Sequence, residues 1–398
     1  MNLTVDSRLK LVPIEIRKDK KHFIVEDTAT GEFYEMPEVC IDAIHLIING
    51  KTLGEIEKEL IEKYPDEEIG LVDFAGQLAE LGLVEEFDGV KVGLEVHKSK
   101  ESLGFEWISP KLGQFFFNKV SMILYSILFV LNSILLISHP ELFPHYKDLF
   151  IFRLMVLNIP AWLVITIILL LIHEFGHILA VRARDLPTKL GIGHRLFLVV
   201  LETDMSPVWK LPSKDRNVLY LAGICFDTVM LFLSLATQLL IPNVSGVFLG
   251  ILHVVVLDTF IRMVYQCCVY MKTDLYYVIE NSSGCYNLME NAQQLIRKKL
   301  SFIKLSGTEE VIFDGERKTV FLYSIFYFIG VFLTVFLYIL FYLPQLFYAF
   351  HKEIPKLEKT PRSLEFWDAV LFVLQITIIF GILLYSWRKK YSKKTIKS

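Results

Sequence analysis

The sequence Ile159-Pro-Ala-Trp-Leu-Val-Ile-Thr-Ile-Ile-Leu-Leu-Leu-Ile, followed directly by His173-Glu174-Phe175-Gly176-His177 and Ile-Leu-Ala-Val181, decides the fold. A helix that crosses a bilayer needs about 20 mostly apolar residues, and this stretch supplies them. Two imidazoles and a carboxylate stand inside the same apolar run. A charged side chain at membrane depth costs about 2.5–3.5 kcal/mol on insertion scales, so we expect these residues to have a function.

The spacing of the two histidines points to metal binding. Residues four apart lie on the same face of a helix, so His173 and His177 can direct ring nitrogens at one ion. Glu174 follows the first histidine, where it can act as a general base beside the metal. This is the H-E-x-x-H zinc pattern. The alternative is that the histidines merely pack, but that leaves no reason for Glu174 to be buried in lipid.

The composition indicates a membrane protein. The chain has 398 residues, of which 53% are hydrophobic, and its mean hydropathy is +0.46. These values are typical of an α-helical polytopic membrane protein that also has a polar part. The formal net charge of -3 gives no basic character that would suggest nucleic acid as a partner. The five cysteines contain no C-x-x-C pair, and we predict that they are free thiols.

Six apolar stretches are long enough to be transmembrane helices. They are 119–138, 154–180, 218–241, 247–271, 319–343 and 365–387. Lysine and arginine are concentrated in the loops 181–217 and 272–317 and in the tail after 387, while 345–363 holds most basic residues of the opposite side. The positive-inside rule therefore predicts a multi-pass protein with both termini in the cytosol.

Residues 1–95 form a separate, charged region without a long apolar run. Its pattern predicts strands, then three helices, then a hairpin around Phe87-Asp-Gly89. The expected strands are 11–16, 22–26 and 31–34, the helices are 38–48, 52–64 and 70–81, and the hairpin strands are 83–86 and 90–94. This order predicts a small cytosolic α+β winged-helix domain, followed by a linker at 96–118.

The order of these elements, with the phrases Ile41-Asp-Ala-Ile44 and Leu81-Gly-Leu-Val84, resembles the PqqD-like domains, also called RiPP recognition elements. Those domains bind the leader part of a ribosomally made precursor peptide, which adds as a strand to a sheet edge. The resemblance implies a peptide-binding role for residues 1–95. An ordinary winged-helix adaptor with another partner, or a purely scaffolding domain, is the alternative.

A catalytic zinc usually has three protein ligands, so the histidine pair needs one more. The membrane region offers six side chains that could serve. They are His194, Asp204, Asp227, His253, Asp258 and Asp274. The residues alone do not choose among them.

The histidine motif, combined with Lys272-Thr-Asp274-Leu-Tyr-Tyr277, resembles the site-2-protease type of intramembrane zinc metalloproteases, in particular the peptide zinc metalloprotease subset. The resemblance covers about residues 150–295. In that family a motif of the type Asp-Gly-Tyr-Tyr, after a helix break, supplies the carboxylate ligand. The resemblance implies that His173, His177 and Asp274 bind one Zn²⁺ per chain and that Glu174 is catalytic.

Two further acidic residues enter through the same resemblance. Asp227 stands where relatives have an asparagine that helps to hold the substrate, and Asp204 lies in the segment between the two motifs. Both are therefore candidates for contact with the substrate or for support of the site.

The chain also departs from the family pattern around Asp274. Leu275 replaces the usual glycine, and no proline precedes Asp274. If the fourth span ran straight from residue 247, Asp274 would lie about 40 Å along its axis, too far for the site. The prediction therefore requires a kink or a later start, and Asp258 is the alternative ligand.

These expectations combine into one functional hypothesis. The core, 119–295, is expected to be a zinc endopeptidase in a bacterial cell membrane, and a strand-like edge at 196–206 is expected to hold an extended substrate. Residues 296–398 are expected to form a cytosolic segment and two more membrane helices. The expected substrate is a ribosomally made precursor peptide, cleaved during bacteriocin maturation or export, with an export transporter as a further partner. The alternatives are a regulatory protease of a membrane-tethered factor and a non-catalytic receptor, immunity factor or export partner.

Overall fold

The structure is a computed structural model that describes residues 3–20, 22–92, 104–195, 198–241, 246–299 and 316–395. Several predictions concern residues outside these ranges, or side chains within them that the structure does not describe. They are positions 93–94 of the last predicted strand, the 242–245 turn, most of the loop after 299, and the side chains of His194 and of the basic tail from residue 389.

The N-terminal region contains strands and helices in the predicted order. Its elements are β1 (Leu9–Leu11), β2 (Ile14–Asp19), β3 (His22–Asp27), β4 (Phe33–Met36), α1 (Glu38–Ile48), α2 (Leu53–Lys63), α3 (Leu71–Glu80), β5 (Val84–Phe87) and β6 (Val90–Lys91). Two antiparallel sheets, β1-β5-β6 and β2-β3-β4, pack with the helices around one apolar core. Thr52 and Glu55 form a capping box that fixes the start of α2.

One predicted strand is wrong. The structure divides 11–16 between β1 and β2, which belong to different sheets. Val12 and Pro13 separate them, and proline has no N–H group to donate to a sheet. The chain turns between β3 and β4 at Asp27–Gly31, where Gly31 has a φ of 76°, in the left-handed region that glycine adopts readily.

Within the described ranges, six helices are long and apolar enough to cross a membrane, as the sequence predicts. The helices that form these spans are α5 (Lys119–Ser138), α6 (Met155–Arg182), α7 and α8 (Ser213–Tyr220 and Ala222–Leu240), α9 (Gly246–Tyr265), α12 and α13 (Arg317–Leu337 and Leu343–Glu353), and α14 (Leu364–Thr395). A π-helical segment, Tyr338–Tyr342, joins α12 to α13. The remaining helices are α4 (Pro110–Phe116), α10 (Asp274–Ser283) and α11 (Leu288–Lys299).

The fourth span ends earlier than the sequence suggests, and this difference positions the site. Helix α9 stops at Tyr265 instead of continuing to residue 271. A 3₁₀ turn, Val269–Met271, follows, and Lys272 takes a left-handed conformation with a φ of 52°. A new helix, α10, then begins at Asp274. The required break is therefore present without a proline.

Two smaller features flank the second span. The hairpin of β7 (Leu190–Arg195) and β8 (Leu198–Thr203) confirms the strand expected within 196–206. Within the predicted linker, α4 packs closely on α6, because Gly113 leaves its backbone in contact with Leu179 and Ala183. All five cysteines are free thiols, as predicted.

The N-terminal domain meets the membrane core through an acidic cluster. Glu35 on β4 lies near Glu280 of the core, near Glu316, which directly precedes α12, and near Asp19 of its own domain. His22 Nε2 lies 3.1 Å from Glu316 Oε1 and 3.7 Å from Glu35 Oε1. Burial, with the neighbouring carboxylates as a smaller cause, raises the pKa of Glu35 to about 8 from an ordinary 4.5.

This pKa shift predicts how stability depends on pH. The native state holds the Glu35 proton more tightly than the unfolded chain, so this residue contributes stability below pH 4.5 that is lost as the pH rises through about 8. Glu35→Gln stays neutral, so we expect its melting temperature to rise relative to wild type between pH 6 and pH 9, by about 2 °C or more.

Thermal unfolding in detergent across this pH range measures the effect. Glu15→Gln, at an exposed position on β2, is the matched control and should follow the wild-type curve. Parallel curves for Glu35→Gln and wild type would contradict the prediction.

Candidate metal centre

Three side chains from two helices meet inside the membrane core. His173 and His177 on α6 and Asp274 at the start of α10 are all buried. Asp274 Oδ2 lies 3.1 Å from His173 Nε2 and 3.4 Å from His177 Nε2. One ligand atom from each residue lies within 4.8 Å of the others, and among the described residues only this group has that geometry. The three side chains could therefore hold a metal ion.

The hydrogen bonds of the imidazoles assign their tautomers. His173 Nδ1 lies 2.8 Å from Asp227 Oδ2, and His177 Nδ1 lies 3.0 Å from the carbonyl oxygen of Leu219. Both partners are acceptors, so each Nδ1 carries the hydrogen and donates it. In the neutral imidazole, which is the form that binds a metal, each Nε2 then keeps a lone pair directed at the space beside Asp274. Such outer hydrogen bonds are the usual way in which proteins orient histidine ligands.

The space between these atoms exists because residue 223 is a glycine. A Cβ atom at Gly223 would lie 2.6 Å from His177 Nε2 and still closer to His173 Nε2. The backbone of α8 can therefore approach the point at which the two ring nitrogens converge. Two neutral nitrogens and a carboxylate around this space form a donor set that fits a divalent cation.

Asp274 is fixed by a residue that the sequence did not single out. Gln266 follows the end of α9, donates from Nε2 to Asp274 Oδ2 at 3.0 Å, and accepts from the Asp274 backbone N–H at 3.0 Å. The Thr273 hydroxyl donates to the Gln266 carbonyl at 2.7 Å. The amide thus closes the break between the two helices. The only sequence signal was a polar side chain where the apolar run ends.

Glu174 is held by the β7–β8 hairpin. Its Oε2 accepts from the Thr203 backbone N–H at 2.8 Å, and the Thr203 hydroxyl lies 2.8 Å from the same oxygen. Glu174, His177 and Asp274 line one cavity of about 420 Å³, whose other walls include β8, Trp209 and Tyr277. In the described part of the chain, no group donates a hydrogen bond to Glu174 Oε1. This oxygen is therefore the one that can accept a proton.

The other candidates lie outside the triad. Asp227 stands behind His173, 1% exposed, with Arg262 Nε 3.5 Å from its Oδ2. Asp258, the alternative ligand, accepts from Thr166 at 2.7 Å and pairs with Arg262 at 3.4 Å. The structure therefore brings Asp274, and not Asp258, to the histidines.

Asp204 and His253 have local roles. Asp204 lines the cavity, but its carboxylate accepts from the Ser206 N–H at 3.0 Å, as in a turn that follows a strand. His253 lies 3.9 Å from Asp148, away from the triad. The proposed contribution of Asp204 and Asp227 to substrate binding or support stays a prediction.

Comparison with known proteins found no similar protein. No protein-family model matches the chain, and neither a curated protein nor a solved structure matches it. The chemistry proposed for the site therefore rests on the geometry of its residues.

The first prediction from this geometry concerns metal content. Full-length protein purified with Zn²⁺ should hold about one ion per chain, and Asp274→Ala and His177→Ala should lose it, because each removes one of three ligands. Asp258→Asn is the matched control, a half-buried acid of the same region, and should keep the ion. Elemental analysis measures the content. Retention by Asp274→Ala with loss by Asp258→Asn would reverse the assignment.

The second prediction concerns Gly223. Alanine favours a helix over glycine, so Gly223→Ala should leave α8 folded, yet its methyl group would occupy the space between the two Nε2 atoms. We expect it to lower metal content well below that of wild type. Gly381→Ala is the control, since a Cβ there meets nothing within 4 Å. Equal metal content in the two variants would show that the ring nitrogens do not converge beside Gly223.

Proposed function

We propose that the protein is an intramembrane zinc metalloendopeptidase that hydrolyses a peptide bond in a ribosomally made precursor peptide. The observation that carries the proposal is the buried triad beside Glu174 in an apolar helix. Ionisable side chains at membrane depth are costly and usually functional. Two histidines and a glutamate in one apolar helix, with an aspartate from another helix beside them, therefore indicate a functional site. The donor set, two imidazoles and one carboxylate, is of the kind that holds catalytic zinc.

Each residue has a role in this proposal. His173, His177 and Asp274 would hold the ion, which when bound supplies Lewis-acid polarisation of the scissile carbonyl. Glu174 Oε1 takes the proton of the attacking water and passes it to the leaving amine. Thr203 keeps the Glu174 carboxylate in place through its two contacts with Oε2. The cavity walls position the peptide and limit the entry of bulk water.

The hairpin beside Glu174 favours an extended substrate. The carbonyls of a helix are already hydrogen-bonded, so a peptide must be unwound at the bond that is cut. In the described residues, no other strand pairs with β7 or β8, so each has an outer edge without a strand beside it. A peptide strand can pair with such an edge by main-chain hydrogen bonds.

A second groove, on the N-terminal domain, favours binding of the leader part of the same peptide. It has a volume of about 450 Å³ and lies between the edge strand β4 and helix α3, with Phe74, Gln77 and Leu81 on the helical side. Trp209 of the core lines this groove and also the metal cavity. A leader peptide added to β4 would thus have its continuation beside the proposed active site.

The proposed setting is a bacterial plasma membrane with both termini in the cytosol, where a newly made peptide is met. The six apolar helices support a multi-pass protein, and the positive-inside rule supports this orientation. An export transporter is a proposed partner, since mature peptides of this class leave the cell.

Glu174→Gln tests the proposal. The substitution keeps the shape of the side chain but removes the base, so cleavage of a candidate precursor peptide taken from the gene neighbourhood should fall by about 10²–10⁴-fold. Mass spectrometry of the products, with the protein in nanodiscs, measures the rate. The metal content of the variant should equal that of wild type, which separates chemistry from binding. Equal cleavage by Glu174→Gln and wild type would end the proposal.

A further inference from the structure

The N-terminal domain is joined to the core by a buried ion pair. Asp19, at the end of β2, lies 2.6 Å from Arg216 Nη1 of α7, and the Tyr286 hydroxyl donates to the same carboxylate at 2.9 Å. Arg216 is completely buried and Asp19 is 5% exposed. Removing one partner of a buried pair leaves an uncompensated charge, which is strongly destabilising. The domain is thus fixed at this point.

The same contact fixes a wall of the metal cavity. The Arg216 guanidinium lies 4.4 Å from the centre of the Trp209 ring, and the Tyr286 ring meets that ring edge-on at 5.0 Å. Arg17 of β2 donates to the carbonyls of Trp209 and Lys210. The N-terminal domain therefore holds the backbone of Trp209 directly, through Arg17, and its ring indirectly, through the two core residues that Asp19 binds.

The turn after β2 also reaches the helix that carries Asp274. The Lys20 ammonium donates to the carbonyls of Ser282, at 2.9 Å, and Asn281. These carbonyls belong to the last turn of α10, where a cation is favourable. A Cβ atom on Gly284, which ends α10, would lie 2.9 Å from Lys20 Cδ. The lysine thus packs on this helix end.

Further contacts tie the end of α10 to the buried ion pair. Asn281 donates to the Ser213 carbonyl at 2.7 Å and to Asn217 Oδ1 at 2.6 Å, and Arg216 Nη1 lies 3.5 Å from Asn281 Oδ1. Ten residues of helix span about 15 Å. A displacement of this end is therefore passed along α10 to its first residue, Asp274.

We propose that Asp19, Lys20 and Arg216 are positioning residues for the metal ligand Asp274, so that the N-terminal domain completes the metal centre and is not a separate recruitment module. This inference rests on the metal site of the proposed function. The domain holds one end of α10, and Gln266 holds the other. Undocking of the domain would loosen the ligand and the Trp209 wall together.

Lys20 gives the cleanest test, because it is exposed and its replacement leaves no buried charge. Full-length protein in nanodiscs is titrated with Zn²⁺ against a competing chelator. Lys20→Met should bind Zn²⁺ between about twofold and about thirtyfold more weakly than wild type, the range for coupling through packed contacts. Amide hydrogen exchange in the last turn of α10 should become faster. Lys20→Arg can donate to the same carbonyls and should restore both values.

Two further variants serve as a control and as a second test of the coupling. Lys18→Met, on the same hairpin, removes an ammonium that lies over the Phe23 ring of its own domain, and it should behave as wild type. Asp19→Asn breaks the ion pair and should weaken Zn²⁺ binding and speed exchange in α10 as Lys20→Met does.

The outcomes separate this inference from the proposed function. Unchanged Zn²⁺ affinity and unchanged α10 exchange in both Lys20→Met and Asp19→Asn would overturn the inference while leaving the peptidase proposal intact. A wild-type protein that binds Zn²⁺ but cleaves no precursor would overturn the proposed function and leave the inference standing. If wild type binds no Zn²⁺, the metal part of both fails, and faster α10 exchange in the variants would support only the mechanical coupling.

Discussion

Two hydrogen bonds that imidazole Nδ1–H groups donate determine the orientation of the metal ligands on which the rest of the site depends. Asp227 and the Leu219 carbonyl turn the rings of His173 and His177 so that both Nε2 lone pairs face one small space. In a low-dielectric interior, lone pairs and a carboxylate brought together in this way need a positive charge among them. Gly223 keeps the space open. The arrangement makes physical sense with a cation at its centre.

The carboxylate reaches this space only because the fourth membrane helix is interrupted. Backbone irregularity at membrane depth is tolerated where it is buried in protein or lines a cavity, and here Gln266 and Thr273 satisfy the exposed groups. The short helix α10 that follows has Asp274 at its buried start and meets the N-terminal domain at its other end. One element thus connects the metal ligands with the domain proposed to receive the peptide.

Sequence patterns predicted much of this architecture. Apolar length gave the six spans, and the i, i+4 spacing paired His173 with His177, because both signals are local. The break after Tyr265 could not be placed, since no proline or glycine marks it and Lys272 takes its left-handed conformation in the folded context. Gln266 was missed for the same reason: its role depends on contacts between segments. The resemblance, and not spacing, ranked Asp274 above Asp258.

The central claim is that two imidazoles and a carboxylate hold an ion within the membrane core. X-ray absorption at the zinc K-edge, on protein loaded with one equivalent of Zn²⁺, tests it most directly. The account predicts nitrogen and oxygen neighbours at about 2.0–2.1 Å, with the outer-shell scattering of two imidazoles in wild type and of one in His177→Ala. Sulfur neighbours at about 2.3 Å, or a first shell without imidazole, would contradict it.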